Sequence, residues 1–255
     1  MAVIRRAAAA DGLRQQAAGS GVLTETLREV VSARVSQTGR PVLDIVDVGG
    51  GTGGLAVPLA SLGHSVTVVD TSPNSLAAAQ RRAAEAGVPL RAVQGDVSDL
   101  AAAIGGVEAD LVLCHSVLEY VDVPAAAMTA IAGLLRPGGV VSVLAASAVA
   151  AVIHRVLAGR FDEARRLIAA LEPEQSQAGT VPRRFTPSEV TGLIEGAGLR
   201  PGPGHGVRVF TDLVPSMLVN TDPGAAEALL ALEEAASVHP AFRGMATQFH
   251  VLGFR

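Results

Sequence analysis

The chain has 255 residues, 49% of them hydrophobic, which suits one sizeable α/β domain able to bury its own core. A formal charge of −4 excludes a global basic field of the kind that drives tight non-specific nucleic-acid binding, while leaving room for a local basic patch. The single cysteine, Cys114, excludes an intrachain disulfide framework and a cysteine-based zinc site, and fits a reducing cytoplasm. All 20 basic residues are arginine, so a basic side chain that meets a carboxylate or phosphate does so with the planar guanidinium fork.

Residues 1–40 read as a helical lead-in. The opening "MAVIRRAAAADGLRQQ" starts with charge, but Asp11, Arg14 and two glutamines interrupt its apolar part, which argues against a signal segment. "PVLDIVDV" over 41–48 is a β-branched run ending at glycines, and "GLAVPLASLG" is a short helix closed by Gly63. "SVTVVD" is a second buried strand ending at Asp70; Thr71-Ser72-Pro73 is a cap and first-turn proline, followed by the helix "NSLAAAQRRAAEAG". "LRAVQGD" is a third strand, "LAAAIG" a short helix, "ADLVLCHSV" a fourth strand and "PAAAMTAIAGLL" a helix that turns through "RPGG" into a fifth strand, "VVSVLAA". The apolar run "VVSVLAASAVAAVI" over 140–153 falls short of the roughly 18–20 residues that span a bilayer, so it reads as a buried strand running into a helix.

Strands alternating with helices at this interval predict a doubly wound, mostly parallel α/β sheet, with 1–255 as one domain. Residues 148–185 then interpose a mostly helical cap insertion whose tail, "EPEQSQAGTVPRR", has no apolar periodicity and reads as a mobile loop. The helix "TPSEVTGLIEGAG" follows, and "GVRVF" and "TQFHVLGF" read as the last two strands, with the alanine-rich helix "PGAAEALLALEEAA" between them.

Ligands of such sheets bind outside the carboxyl ends of the strands, so those ends hold the candidates. In "VDVGGGTGG", Gly49, Gly51 and Gly54 satisfy G-x-G-x-x-G, which fits a nicotinamide site as well as a looser nucleoside loop. Asp47, just before the loop, would place a carboxylate near a pyrophosphate, and a cationic ligand tolerates it better. It can also be buried beside the turn and accept from its N–H groups. Asp70 lies 21 residues after Gly49, the placement of a carboxylate that accepts ribose hydroxyls. Asp96 stands where the exocyclic amine of adenine can donate to it, and at the fourth strand end the backbone of Cys114-His115-Ser116 borders the reactive end of the ligand. A nicotinamide oxidoreductase is the less favoured reading, because a chain without lysine has no Tyr-x-x-x-Lys pair.

"VLDIVDVGGGTGG", Asp70, "QGDV", "DLVLCHSVLEYV" and "LLRPGGVVSVL", in order over residues 42–146, resemble the motif series of the class I S-adenosylmethionine methyltransferases. The resemblance implies a Rossmann-like, seven-stranded, mostly parallel sheet with an antiparallel last strand, for which "TQFHVLGF" is the candidate. It also implies S-adenosylmethionine as donor and S-adenosylhomocysteine (SAH) as product. "HSVLEYV", "HRVLAGRFDEA", "VPRRF", "GVRVF" followed by Asp212, and the late "HP" and "FHV" elements extend the likeness to the tRNA 5-carboxymethoxyuridine methyltransferase family. That family esterifies the carboxylate of a modified wobble uridine. By position, the resemblance implies that Arg28, Gly49, Gly50, Asp70, Asp96 and His115 line the cofactor; Asp47, Gly51, Gly53, Thr71 and Val97 complete the expected set. The segment "GSGVLTET" before Arg28 is poor in the basic and aromatic residues of that family's entrance, which leaves Phe185 and Phe210 as candidates for stacking on a base.

Methyl transfer is an in-line displacement, so the enzyme mainly aligns donor and acceptor and excludes water. A carboxylate acceptor is already ionised at pH 7 and calls for a cation to hold it, for which Arg183 and Arg208 are the expected residues, with Arg184 third. A hydroxyl or amine acceptor on a small natural product is the alternative; it calls for a general base such as His115, His154, His205 or Glu119. The expected partners are therefore tRNA or a small carboxylate or hydroxyl acceptor, with no metal and no membrane. A non-enzymatic cofactor-binding regulator is the residual reading. Structural roles stand beside these: a helix-face ion pair for Arg28, helix surface for His154, a loop for His205, strand packing for His250, helix capping for Glu119 and an apolar packing role for Cys114.

Overall fold

A computed structural model describes residues 21–171, 182–221 and 224–255. The first part of the lead-in, 1–20, and most of the cap tail, 172–181, lie outside the described residues. Helix α1 runs over 21–38. It is followed by β1 (Asp44–Val48), α2 (Ala56–Ser61), β2 (Ser65–Asp70), α3 (Pro73–Glu85), β3 (Arg91–Gln94), α4 (Leu100–Ile104), β4 (Ala109–His115), α5 (Pro124–Leu134) and β5 (Leu135–Ala146). The second half comprises α6 (Ala148–Leu157), α7 (Phe161–Ala169), α8 (Pro187–Gly196), β6 (Arg200–Val207), α9 (Ser216–Thr221), α10 (Ala225–Val238) and β7 (Gln248–Phe254).

The sheet order is β3-β2-β1-β4-β5-β7-β6, with β1 to β5 parallel and β7 antiparallel to both of its neighbours. The chain reverses its direction of winding between β1 and β4, which opens a crevice at their carboxyl ends. The central strands are buried on both faces, which accounts for their near-continuous β-branched and leucine runs. Alternate residues feed two cores. Val46, Val48, Val112, Cys114, Val141 and Val143 pack with α5 and α8, while Ile45, Leu111, Leu113 and Leu144 pack under α1 and α2. Helix α1 contributes Leu23, Leu27 and Val31 to the second core.

At the amino ends of β1 and β4 the fully buried Asp110 accepts from Arg40 and Arg136 at 2.9 Å each and faces Arg34 at 3.5 Å. Asp44 shares Arg40 and Arg136, at 2.9 and 2.8 Å. This ionic knot ties α1, β1, β4 and β5 together at the edge opposite the crevice.

Two boundaries differ from the sequence reading. The sixth strand is "RPGPGHGV", and not "GVRVF". Its prolines and glycines are tolerated because β6 is the edge of the sheet, where one side of the ladder needs no donors. His205 accordingly lies on this strand and not in a loop. The "RPGG" turn is drawn into β5, with an irregular register between Ala109 and Leu111.

The segment between β5 and α8 closes on itself. Phe185 donates its N–H to Ala146 O at 2.8 Å, and Ala148 donates to Phe185 O at 2.9 Å. The excursion thus leaves and returns at adjacent points beyond the carboxyl end of β5. Thr186 then starts α8 with a capping box closed by Glu189.

Candidate active site

The crevice at the carboxyl ends of β1 to β4 is a cavity of about 600 Å³. Val48 and Gly49 line its floor, with Asp70 and Thr71 from the end of β2, Asp96 and Val97 after β3, and Ser116 and Val117 after β4. Tyr120 to Val123 and the first turns of α5 form the facing wall.

Gly49 adopts φ +65°, and a Cβ there would lie 2.5 Å from Val117, so the loop can pass close to the β4 exit only as glycine. Gly50 rests on the Asp47 carboxylate, which a Cβ would meet at 2.5 Å. The loop amides are engaged elsewhere: Gly49 N–H donates to Val69 O at 2.7 Å, Gly51 N–H to Asp70 Oδ2 at 2.9 Å and Gly53 N–H to Gly50 O at 2.9 Å. The expectation that Asp47 receives the loop N–H groups is corrected, since Asp70 takes that of Gly51. Asp47 is 3% exposed, and burial with the nearby charge of Asp70 raises its pKa to about 7.

Asp70 is locked by two amides, Gly51 at 2.9 Å and Ser72 at 2.8 Å, and keeps lone pairs facing the cavity. Asp96 Oδ1 accepts from Ser98 N at 2.9 Å and Ser98 Oγ at 2.7 Å, which holds its pKa below the usual carboxylate range. Its other oxygen is available to a donor in the cavity. Two fixed carboxylates at successive strand ends, facing apolar Val97 and the α5 residues Ala127 and Ala130, fit a nucleoside with its hydroxyls toward Asp70 and its base toward Asp96.

Residues 46–143 match the Methyltransferase domain family. The chain is 30% identical over 201 residues to the tRNA 5-carboxymethoxyuridine methyltransferase of Escherichia coli (strain K12), covering 78% of this chain and 75% of that protein. The chain belongs to the S-adenosylmethionine-dependent methyltransferases. It is also 36% identical over 165 residues to the ubiquinone biosynthesis O-methyltransferase of Methylobacterium nodulans, covering 62% of this chain and 59% of that protein. Among solved structures, the magnesium protoporphyrin IX methyltransferase of Synechocystis PCC 6803 with bound SAH shares the fold, with a TM-score of 0.56, 17% identity and coverage of 89% and 82% of the two chains. The methyl donor of this methyltransferase is S-adenosylmethionine.

Several of the expected site residues are not among those lining this cavity. Arg28 is exposed on α1 and pairs with Glu25 at 3.4 Å. It is not among the residues lining the cavity. His115 is likewise outside the lining: strand alternation turns its ring to the α1 face, where Nε2 meets Ser142 Oγ at 2.8 Å. Ser142 Oγ meets His250 Nε2 at 2.8 Å, and His205 stacks on His250 with ring centroids 5.9 Å apart. Burial lowers the His115 pKa to about 4 and that of His250 well below its ordinary value. Ser116, the next residue, takes His115's place at the cavity with a left-handed φ of +55° and accepts from Gln248 Nε2 at 3.1 Å.

The acceptor arginines are also engaged. Arg183 donates its N–H to Glu119 O at 2.8 Å and its guanidinium to Val121 O, bracing the cavity wall from outside. Arg208 sits at φ +61° and is ion-paired to Asp212, which also accepts from Thr247 Oγ1 at 2.6 Å. Its loop is pinned by Glu233, which accepts from the N–H groups of Val209, Phe210 and Thr211. Arg184 is half-buried and makes no hydrogen bond or salt bridge with another described residue. Glu119 accepts from Ala146 N at 2.7 Å, so it braces the end of β5 instead of capping a helix, and burial raises its pKa.

Phe185 is a core residue and Phe210 packs edge-on against Phe242, so neither presents a ring to a base. The aromatic ring at the cavity is Tyr120, 64% exposed on its wall. Its signal in the sequence was its place just past the fourth strand, as the chain's one tyrosine. Cys114 is buried, which pushes its thiol pKa up and leaves it a packing residue. Among the described residues, no helix is long and apolar enough to cross a membrane.

Proposed function

We propose that this enzyme esterifies the carboxylate of 5-carboxymethoxyuridine in tRNA, working in the cytoplasm. The observation that carries the reading is the extent of the likeness to the Escherichia coli enzyme, which spans 201 residues and so reaches well beyond residues 46–143. A carboxylate acceptor needs no base, because it is already ionised at pH 7. The crevice lining holds no imidazole, thiol or amine, which is compatible with such an acceptor.

When bound, S-adenosylmethionine supplies a sulfonium-borne methyl: an acceptor oxygen lone pair forms the new C–O bond as the C–S bond breaks, its electron pair staying on sulfur to give SAH. In our reading Asp70 accepts the ribose hydroxyls, Asp96 the adenine amine, and Gly49, Thr71 and Val97 shape the walls around the nucleoside. Asp47 lies beneath the loop, where a bound cation would favour its ionised form. Ser116 and Tyr120 border the reacting end, and the α6–α7 cap, held at Ala146 and Phe185, limits access of water to it.

The test is incubation with S-adenosylmethionine and bulk tRNA from a strain lacking the methyl ester, followed by mass analysis of the digested nucleosides. The expected outcome is 5-carboxymethoxyuridine heavier by one methylene. The second reading, O-methylation of a small hydroxyl compound, draws on the likeness to ubiquinone biosynthesis O-methyltransferases. Activity on a small phenol with unchanged tRNA would establish it instead.

A further inference from the structure

A second, smaller cavity of about 230 Å³ lies at the cap, lined by Ala148 and Ala151 of α6, Leu167, Leu171 and Pro182, with Arg155 and Arg184 as its charged lining residues. Among the arginines weighed for acceptor binding, Arg183 is spent on Val121 and Arg208 on Asp212, while Arg184 acts on the Glu119 carboxylate only through its charge, with no hydrogen bond to it. Arg155 gives its Nε to Glu163 at 2.8 Å and keeps its terminal nitrogens.

We propose that this cavity is the anion subsite for the acceptor, with Arg184 holding the acceptor's carboxylate and Arg155 a secondary contact. The proposal rests on the methyl-ester reading above and names the residues that serve it. Its size suits a carboxymethoxy arm and part of the ring that carries it, since it matches roughly eight waters of liquid volume. Apolar walls around a guanidinium strengthen a charge-assisted pair and give a neutral arm nothing in return.

Position links this cavity to the donor crevice. Arg184 sits between Arg183, which is bonded to Glu119 and Val121, and Phe185, which is bonded to Ala146 and Ala148. Tyr120 and Val121 line the donor crevice, and Arg184 follows directly on Arg183, which is bonded to that wall. In this proposal an acceptor anchored at Arg184 extends past Arg183 toward the donor crevice, with one carboxylate oxygen facing the transferable methyl. The negative charge is lost in the transfer, so the ester product no longer pairs with the arginine and its release is favoured.

The test uses the full chain with SAH bound, titrated with the nucleoside 5-carboxymethoxyuridine and with its neutral primary amide, alongside methyl-transfer kinetics on tRNA. The wild type is expected to prefer the acid. Arg184→Gln is expected to bind acid and amide alike and to lose at least about 30-fold in kcat/KM, with SAH affinity within twofold of wild type as the check on folding. Arg184→Lys should recover part of the preference, and Arg155→Gln should lose less than Arg184→Gln. An Arg184→Gln enzyme that keeps the acid preference and its kcat/KM overturns the subsite and leaves the methyl-ester reading standing. A wild type that neither methylates the tRNA nor binds the acid overturns the methyl-ester reading itself.

Discussion

The Asp47 carboxyl lies under the glycine loop with Gly50 against it, and burial together with Asp70 brings its pKa to about 7, against an ordinary value near 4. An acid whose pKa is raised on folding is protonated in the folded state while the unfolded chain is ionised. Stability therefore falls as pH rises from about 4 to about 7 and is flat above, where both states carry the charge. Asp47→Asn should remove this decline. The melting temperature of the ligand-free variant, relative to wild type, is expected to climb across pH 4–7 and then level off. A difference that does not change with pH would show that Asp47 is not held protonated. At this scale the sequence was informative where a residue's role depends on loop position: Gly49, Asp70, Asp96, Thr71 and Val97 all reach the crevice. It was uninformative where side-chain direction or a distant partner decides. Strand alternation sends His115 to Ser142, and the fold brings Asp212 and Thr247 together around Arg208.

A buried carboxylate helps to hold the root of the cap, beside the backbone bonds of Phe185 with Ala146 and Ala148. Glu119 accepts the N–H of Ala146 at the end of β5, and its backbone carbonyl accepts that of Arg183 on the returning segment. Glu119→Ala leaves the Ala146 N–H without its acceptor and should cost about 1–3 kcal/mol in urea unfolding, while Glu119→Gln, which keeps a carbonyl oxygen in place, should lose less. Equal losses for the two variants would remove the hydrogen bond from the explanation. The elements themselves were largely readable, because β-branched runs, Ser72-Pro73 and Thr186-Pro187 mark their own ends. The sixth strand was not, since "RPGPGHGV" becomes a strand only by pairing with β7 at the sheet edge.

Over the whole molecule the two edges of the sheet divide the work. The amino edge carries the Asp110 knot with its three arginines, and the carboxyl edge carries the crevice, the cap and the Arg208 loop. The fold class and donor were legible in the order of the motifs, whereas the acceptor depends on residues far apart in the chain that only the cap and the sheet edge bring together. The chemistry of the bond formed separates the acceptor readings most directly. Protein incubated with tRNA and S-adenosylmethionine labelled in its methyl group should yield tRNA whose label is released as methanol by mild alkali, because a methyl ester hydrolyses under those conditions. Label that stays on the nucleoside through alkali would mean an ether or N-methyl product and would contradict the carboxylate reading.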